Sequence, residues 1–155
     1  MAEHSIKFTV YGNAVAKKAP KMFLNPKTKR PMAFKDKSTR DWENAIRTVA
    51  QDHVPKNLLD GPLYAKVTFH ILRPKSKPKK VLYPDTKPDL DNLEKSLFDA
   101  LEGLIFVNDS RIVEKHIEKV YGDPPRVDIE VGEKAKPLEK IEKIQKRLDE
   151  LIREG

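Results

Sequence analysis

The chain has 155 residues, 38% hydrophobic and 35% charged, which suits one compact domain with a modest core and solvated appendages. The absence of cysteine excludes a disulfide framework and thiolate metal sites. No run nears the roughly 20 apolar residues of a bilayer span, and Met1-Ala2-Glu3-His4 lacks the apolar stretch of a secretory signal, so a cytoplasmic protein is expected. The net charge of +7 is lopsided: residues 1–87 hold 19 Lys/Arg against 7 Asp/Glu, and residues 88–155 hold 12 against 17. That imbalance points to a polyanionic partner held over a focused acidic site.

In chain order, Ser5 to Tyr11 alternates apolar and polar residues and reads as a strand closed by Gly12-Asn13. Ala14 to Pro31 reads as a long loop in which Lys17, Lys18, Lys21, Lys27, Lys29 and Arg30 interleave with Met22 and Phe23. Cations with an aromatic among them suit contacts to a nucleic-acid backbone, and Lys17, Lys18 and Lys21 are the expected ones. Asp36 or Ser38 is placed to cap a helix running to about His53, with Trp42, Ala45, Ile46 and Val49 on its inner face. After a turn-rich link from Pro55 to Pro62, Leu63 to Leu72 predicts a strand with Ala65, Val67, Phe69 and Ile71 facing inward. His70 falls on its polar side as a solvated or hydrogen-bonded residue.

The stretch Arg73-Pro74-Lys75-Ser76-Lys77-Pro78-Lys79-Lys80 is too polar and proline-rich for a helix or strand interior. Prolines stiffen it while Arg73, Lys75, Lys77, Lys79 and Lys80 project, so it reads as an arm for a sugar–phosphate backbone. Leu90, Leu93, Leu97, Leu101 and Leu104 then recur at helical spacing, with Pro88 at the start and Gly103 at the stop. Asp91, Lys95 and Asp99 share the opposite side of that helix. Ile105 to Val107 reads as a short strand, Asn108-Asp109-Ser110 as a turn, and Arg111 to Tyr121 and Arg126 to Val131 as two more strands. The sum is an α/β (α+β) domain over residues 1–132, a mixed sheet of four to five strands flanked by two main helices. Residues 133–155 form an additional amphipathic helix, with Ile141, Ile144, Leu148 and Leu151 at a/d spacing, expected to pack on the domain or on a second subunit.

The chemistry concentrates in Asp89, Asp91, Lys95 and Asp109. The three aspartates offer only hard oxygen ligands, which suits Mg²⁺, or Mn²⁺, over zinc. Clustered carboxylates repel one another unless a cation lies between them. A scissile phosphodiester is itself an anion, so a shared metal would both neutralise the acids and bind the substrate. Lys95, one turn after Asp91, is placed to position a water or donate to a phosphate oxygen. A calcium-loop reading from Asp89 fails, because the sixth position is Glu94 instead of Gly and the twelfth is Ala100.

The run Pro88-Asp89-Leu90-Asp91-Asn92-Leu93-x-Lys95, then Asp99-Ala100-Leu101, then Asn108-Asp109-Ser110-Arg111-Ile112-Val113 resembles the RusA family of Holliday-junction resolvases. Phe8-Thr9-Val10-x-Gly12-Asn13-x-Val15-x-Lys17-Lys18 is similar to that family's first strand and basic loop, and the likeness extends from about residue 5 to 131. The resemblance implies a homodimeric, Mg²⁺-dependent endonuclease that places paired nicks in four-way DNA, without a small-molecule cofactor or a membrane. It assigns Asp89, Asp91 and Asp109 to metal binding and Lys95 to the essential lysine position. Asn108 stands where many relatives carry another acid, Ala19-Pro20-Lys21 is less arginine-rich than in relatives, and the tail after Glu133 has no counterpart in the family's compact form. The alternative expectation is a branched-DNA-binding protein of the same fold that cuts weakly or not at all.

Overall fold

The computed structural model describes residues 5–135 and 137–155. Met1–His4, on which the expectation about a secretory signal rests, lie outside the described residues, as does Lys136. Strand β1 (Ser5–Tyr11) is followed by a small hairpin, β2 (Lys21–Leu24) and β3 (Pro31–Phe34), and by helix α1 (Lys37–Ala50), which a short 3-10 turn extends to His53. Strand β4 (Leu63–Ile71), helix α2 (Leu90–Leu101), strands β5 (Ile112–Tyr121) and β6 (Arg126–Glu133) and helix α3 (Pro137–Glu154) complete the chain. Among the described residues the architecture is mixed α/β, as expected, with one four-stranded sheet, one two-stranded ribbon and three α-helices.

The main sheet runs β1-β6-β4-β5, with β4 and β5 parallel and the other pairs antiparallel. Parallel neighbours need a long crossover, and residues 72–111, with α2 inside them, supply it. Alternation sorts the two faces. Phe8, Val10, Leu63, Ala65, Val67, Phe69, Val127, Ile129 and Val131 are buried beneath α1 and α2. The opposite face is polar: Thr9 donates to Asp128 Oδ1 (2.7 Å), and His70 Nε2 lies 2.8 Å from Asp128 Oδ2, the hydrogen-bonded form expected for that histidine.

From the helices, Trp42, Ile46 and Ala50 of α1 and Leu93, Leu97, Phe98 and Leu101 of α2 close the core. Asp36 is the N-cap of α1, accepting from the Ser38 N–H at 3.1 Å. Gly103, at φ +79°, takes the left-handed position that ends α2. Between β5 and β6 the chain must cross the end of β4, and Gly122 donates to the Ile71 carbonyl there (2.9 Å). A Cβ on Gly122 would stand 2.8 Å from the His70 ring, so the close approach needs the missing side chain.

Two expectations are corrected, and of the two places expected for the C-terminal helix one is removed. The segment from Ala14 to Pro31 is not a plain loop, because Lys21 to Phe34 folds back as the β2–β3 ribbon. Ile105–Val107 makes no strand; Phe106 forms isolated bridges with Leu59 and Glu102, and its side chain fills the core. Helix α3 does not bury its stripe on the domain: Leu138, Ile141, Ile144, Leu148, Leu151 and Ile152 all remain exposed. Among the described residues no helix is long and apolar enough to cross a membrane.

Candidate active site

Helix α2 carries Asp91 and Lys95 and begins at Asp89, and its N-terminal half is held by β5 and by the segment after β1. Lys119, on the inward face of β5, donates to the Thr86 and Pro88 carbonyls (2.6 and 2.9 Å). From the basic segment after β1, the Lys17 N–H donates to the Asn92 carbonyl (2.8 Å), and the Ser96 hydroxyl donates to the Val15 carbonyl (2.6 Å). Lys115 pairs with Glu94. These bonds fix α2 antiparallel to β5 and lay residues 15–17 along it, running toward its N-terminus.

Asp89 is the N-cap residue, yet its side chain makes no capping bond, and Asp91 sits in the first turn. Both are exposed, as is Lys95, and among the described residues no hydrogen bond or ion pair engages the side chain of any of the three. The ordinary helix pair available to Asp91 and Lys95 is not closed. The helix N-terminus favours negative charge at Asp89 and Asp91, but their oxygens stay free for an outside ligand.

Asp109 stands elsewhere. Asn108 caps a short 3-10 turn over Asp109–Arg111, accepting from the Ser110 N–H at 2.9 Å. The Asp109 N–H donates to Glu102 Oε1 (3.1 Å), at the C-terminal cap of α2. Arg111 anchors the same turn on Asp60 (2.6 Å), holding the Asp60 carboxyl below its ordinary pKa together with the Gly61 N–H, the larger cause. The 12 residues of α2 separate its two ends by about 18 Å. Asp109 is therefore about one helix length from Asp89 and Asp91, and among the described residues no group of three or more His, Asp or Glu side chains is gathered to hold a metal. The expectation that the three aspartates share one cation is not met within a single chain, because the Glu102 tether commits Asp109 to the far end of α2. Asn108, the departure from the family pattern noted in the sequence, serves as the cap of that turn.

The cations divide in the same way. Lys75, Lys77, Lys79 and Lys80 are exposed and unpaired among the described residues, on an arm whose turns close through Lys77 N–H to Pro74 O and Val81 N–H to Pro78 O (both 3.0 Å). The Tyr121 N–H donates to the Leu82 carbonyl (3.1 Å), holding the arm at the end of β5 nearest the start of α2. Arg73 is committed internally instead, donating to the Val81 carbonyl (2.8 Å) with its guanidinium 5.3 Å from the Tyr121 ring centre. Lys17 is committed too, against Asp99 and Glu43 at 2.7 and 3.1 Å. Burial opposes its charge, but those two hydrogen bonds and the carboxylates' charges outweigh it and raise its pKa. Lys18 and Lys21 reach Asp36 at 3.5 and 3.6 Å but stay exposed. Sequence reasoning missed the ribbon that carries Lys21, Phe23, Lys27, Lys29, Arg30 and Phe34, since its strands are apolar on both sides and show no alternation to read.

Residues 12–132 match the family model described as Endodeoxyribonuclease RusA, a span that includes Asp89, Asp91, Lys95 and Asp109 and ends before α3. The chain is also similar to the "Uncharacterized protein YqaN" of Bacillus subtilis (strain 168), 36% identical over 139 residues, which cover 83% of this chain and 96% of the relative. A basic arm, a pair of free aspartates at a helix start and a family match over most of the length agree: the chain belongs to the RusA family of endodeoxyribonucleases, which act on Holliday junctions.

Proposed function

We propose that this protein resolves four-way DNA junctions by paired, metal-dependent nicks, acting as a homodimer in which each cutting site uses Asp89, Asp91 and Lys95 of one copy and Asp109 of the other. The observation that carries the reading is the pair of free carboxylates at the start of α2, next to the free lysines of the arm. Their oxygens fit Mg²⁺ or Mn²⁺ in kind, but two residues are a sparse set for either ion. A second copy related by a two-fold axis and laid antiparallel along α2 brings its own Asp109 to the first copy's Asp89 end, and does so twice. A four-way junction has the matching approximate two-fold symmetry.

A divalent cation at that place supplies Lewis acidity toward the scissile phosphate and toward the attacking water. The chain's own residues do the rest. Asp89 and Asp91 provide the negative field, Lys95 offers an ammonium to a phosphate oxygen, and the arm lysines neutralise neighbouring phosphates so that backbone shape is read more than base edges.

The test uses synthetic four-way junctions with wild type and Asp91→Asn, with and without Mg²⁺. Metal-stimulated symmetric nicks, lost in the variant, support the enzyme. A second reading, a junction binder that cuts poorly, is favoured by the position of Asp109 at the far end of α2. Tight binding by the wild type without metal-stimulated nicks selects that reading.

A further inference from the structure

We propose that the β2–β3 ribbon is a wedge whose paired rings, Phe23 and Phe34, stack on bases exposed at the branch point of the bound junction. The proposal rests on the junction-binding reading above and adds to it the element that distinguishes branched from continuous DNA.

Every strand residue of the ribbon is exposed, although six of the eight are large apolar side chains or proline. Its register, with Phe23 opposite Met32 and Lys21 opposite Phe34, puts Lys21, Phe23, Met32 and Phe34 on one face. There the two phenylalanines stack with centroids 4.3 Å apart and planes 7° from parallel, while remaining 51% and 42% exposed. Met22, Leu24, Pro31 and Ala33 form the other face, also open to solvent. An isolated two-stranded ribbon with apolar residues on both faces is marginal in water and gains from something to stack against.

Charge and position select the occupant. From Lys21 to Lys35 the ribbon carries Lys21, Lys27, Lys29, Arg30 and Lys35 and no acid. The tip is ordered by Asn25, whose side chain accepts from the Lys27 N–H (2.8 Å), and it presents Lys27, Lys29 and Arg30 together. Aromatic rings bordered by cations suit stacked bases bordered by phosphates. The stem is fastened beside the candidate site, because Lys17 bonds to Asn92 one residue after Asp91, and the ribbon begins four residues later. Strands of four residues reach about 13 Å, more than the depth of either DNA groove. Intact duplex hides its stacking faces, whereas a branch point opens them and lowers the cost of inserting an apolar wedge.

The test is made in the Asp91→Asn background, so that binding is read without cutting. Four-way junctions carrying 2-aminopurine at the branch, and linear duplexes of the same sequence, are titrated with the Asp91→Asn protein and with versions also carrying Phe23→Ala and Phe34→Ala, or Phe23→Tyr and Phe34→Tyr. The expected result is a branch-point fluorescence change and junction preference with Phe or Tyr. The alanine pair should lose the signal and roughly tenfold or more in junction affinity, with duplex affinity and salt slope unchanged. Equal losses on duplex and junction, or no branch-point signal from a bound junction, overturn the wedge. So does an alanine pair that alters oligomeric state, or binding to anionic vesicles, in place of junction affinity. A junction bound with the expected signal but not nicked by the wild type leaves the wedge standing and removes the nuclease reading. Absence of junction preference removes both.

Discussion

Lys17 and Asp99 close a 2.7 Å ion pair that joins the basic segment after β1 to the outer side of α2, and the same ammonium reaches Glu43 of α1 at 3.1 Å. Glu43 is only 4% exposed, and Lys35 holds its other oxygen at 2.5 Å. Lys17 thus works as a bracket between the two helices rather than as a phosphate contact. Lys17→Met is expected to destabilise the domain by about 2 kcal/mol, since it leaves a buried carboxylate short of a partner. Because the pKa of Lys17 is raised in the folded state, its contribution is fully present below about pH 10.5 and is lost as pH rises through the higher folded value. Urea titrations of both proteins from pH 7 to 11.5 check this: the two stabilities should converge at the alkaline end.

Asp36 has the opposite sign. It accepts from the hydroxyl and N–H of Ser38, the hydroxyl contributing most, and Lys18 adds to the effect, so its pKa falls from 3.8 to about 2. A depressed carboxyl stabilises above its unfolded pKa, and that stability is lost as pH falls from about 4 toward 2. Asp36→Asn keeps a capping oxygen but cannot titrate. Its acid-unfolding curve, followed by circular dichroism, should be flatter than that of wild type between those limits; superimposed curves would count against the cap as a titrating group.

The proposed sharing of each site between two copies makes a prediction about mixtures. Asp91→Asn and Asp109→Asn homodimers should both be inactive. After random mixing, half of the dimers carry one variant of each kind, and one of their two sites is intact. About a quarter of the wild-type sites should return, cutting one strand at a time. If each site belonged to one chain, mixing would restore nothing. Junction nicking by subunit-exchanged mixtures reads this directly.

The arm supplies a fourth test. Replacing Lys75, Lys77, Lys79 and Lys80 with Gln should weaken junction and duplex binding alike and reduce the salt slope by up to about 4, near one unit per lost phosphate contact. Arg73→Gln should act differently. It removes the bond to the Val81 carbonyl and the guanidinium's contact with the Tyr121 ring, leaving the Tyr121 N–H to Leu82 as the arm's remaining hold, so backbone amide exchange across residues 73–82 should rise with little change in slope.

Periodicity made most of the domain legible in advance. Strands β1, β4 and β6 alternate cleanly because one face of the sheet is buried and the other wet, and α1 and α2 carry apolar stripes facing that sheet. Gly103 marked the end of α2 correctly. The ribbon escaped notice for the converse reason: with no core behind it, KMFL and PMAF have no inner side to reveal. Lys115 and Lys119 of β5 interrupt an apolar pattern, and their reason emerges only where α2 offers Glu94 and the Thr86 and Pro88 carbonyls.

From the order of residues alone came the α/β class, the oxygen-only chemistry of the aspartates, the basic surface and the resemblance carried by the run from Pro88 to Lys95. Those properties reside in residue type and short spacing, which the chain carries whether folded or not. Which cations remain free and which are spent inside, and the parting of Asp109 from Asp89 and Asp91, were settled by tertiary structure. Lys17 and Lys75 are the same residue in a sequence, and only the carboxylates that folding brings beside one of them make it different; likewise Asp109 is placed by the direction of β5 and by the bond its N–H donates to Glu102.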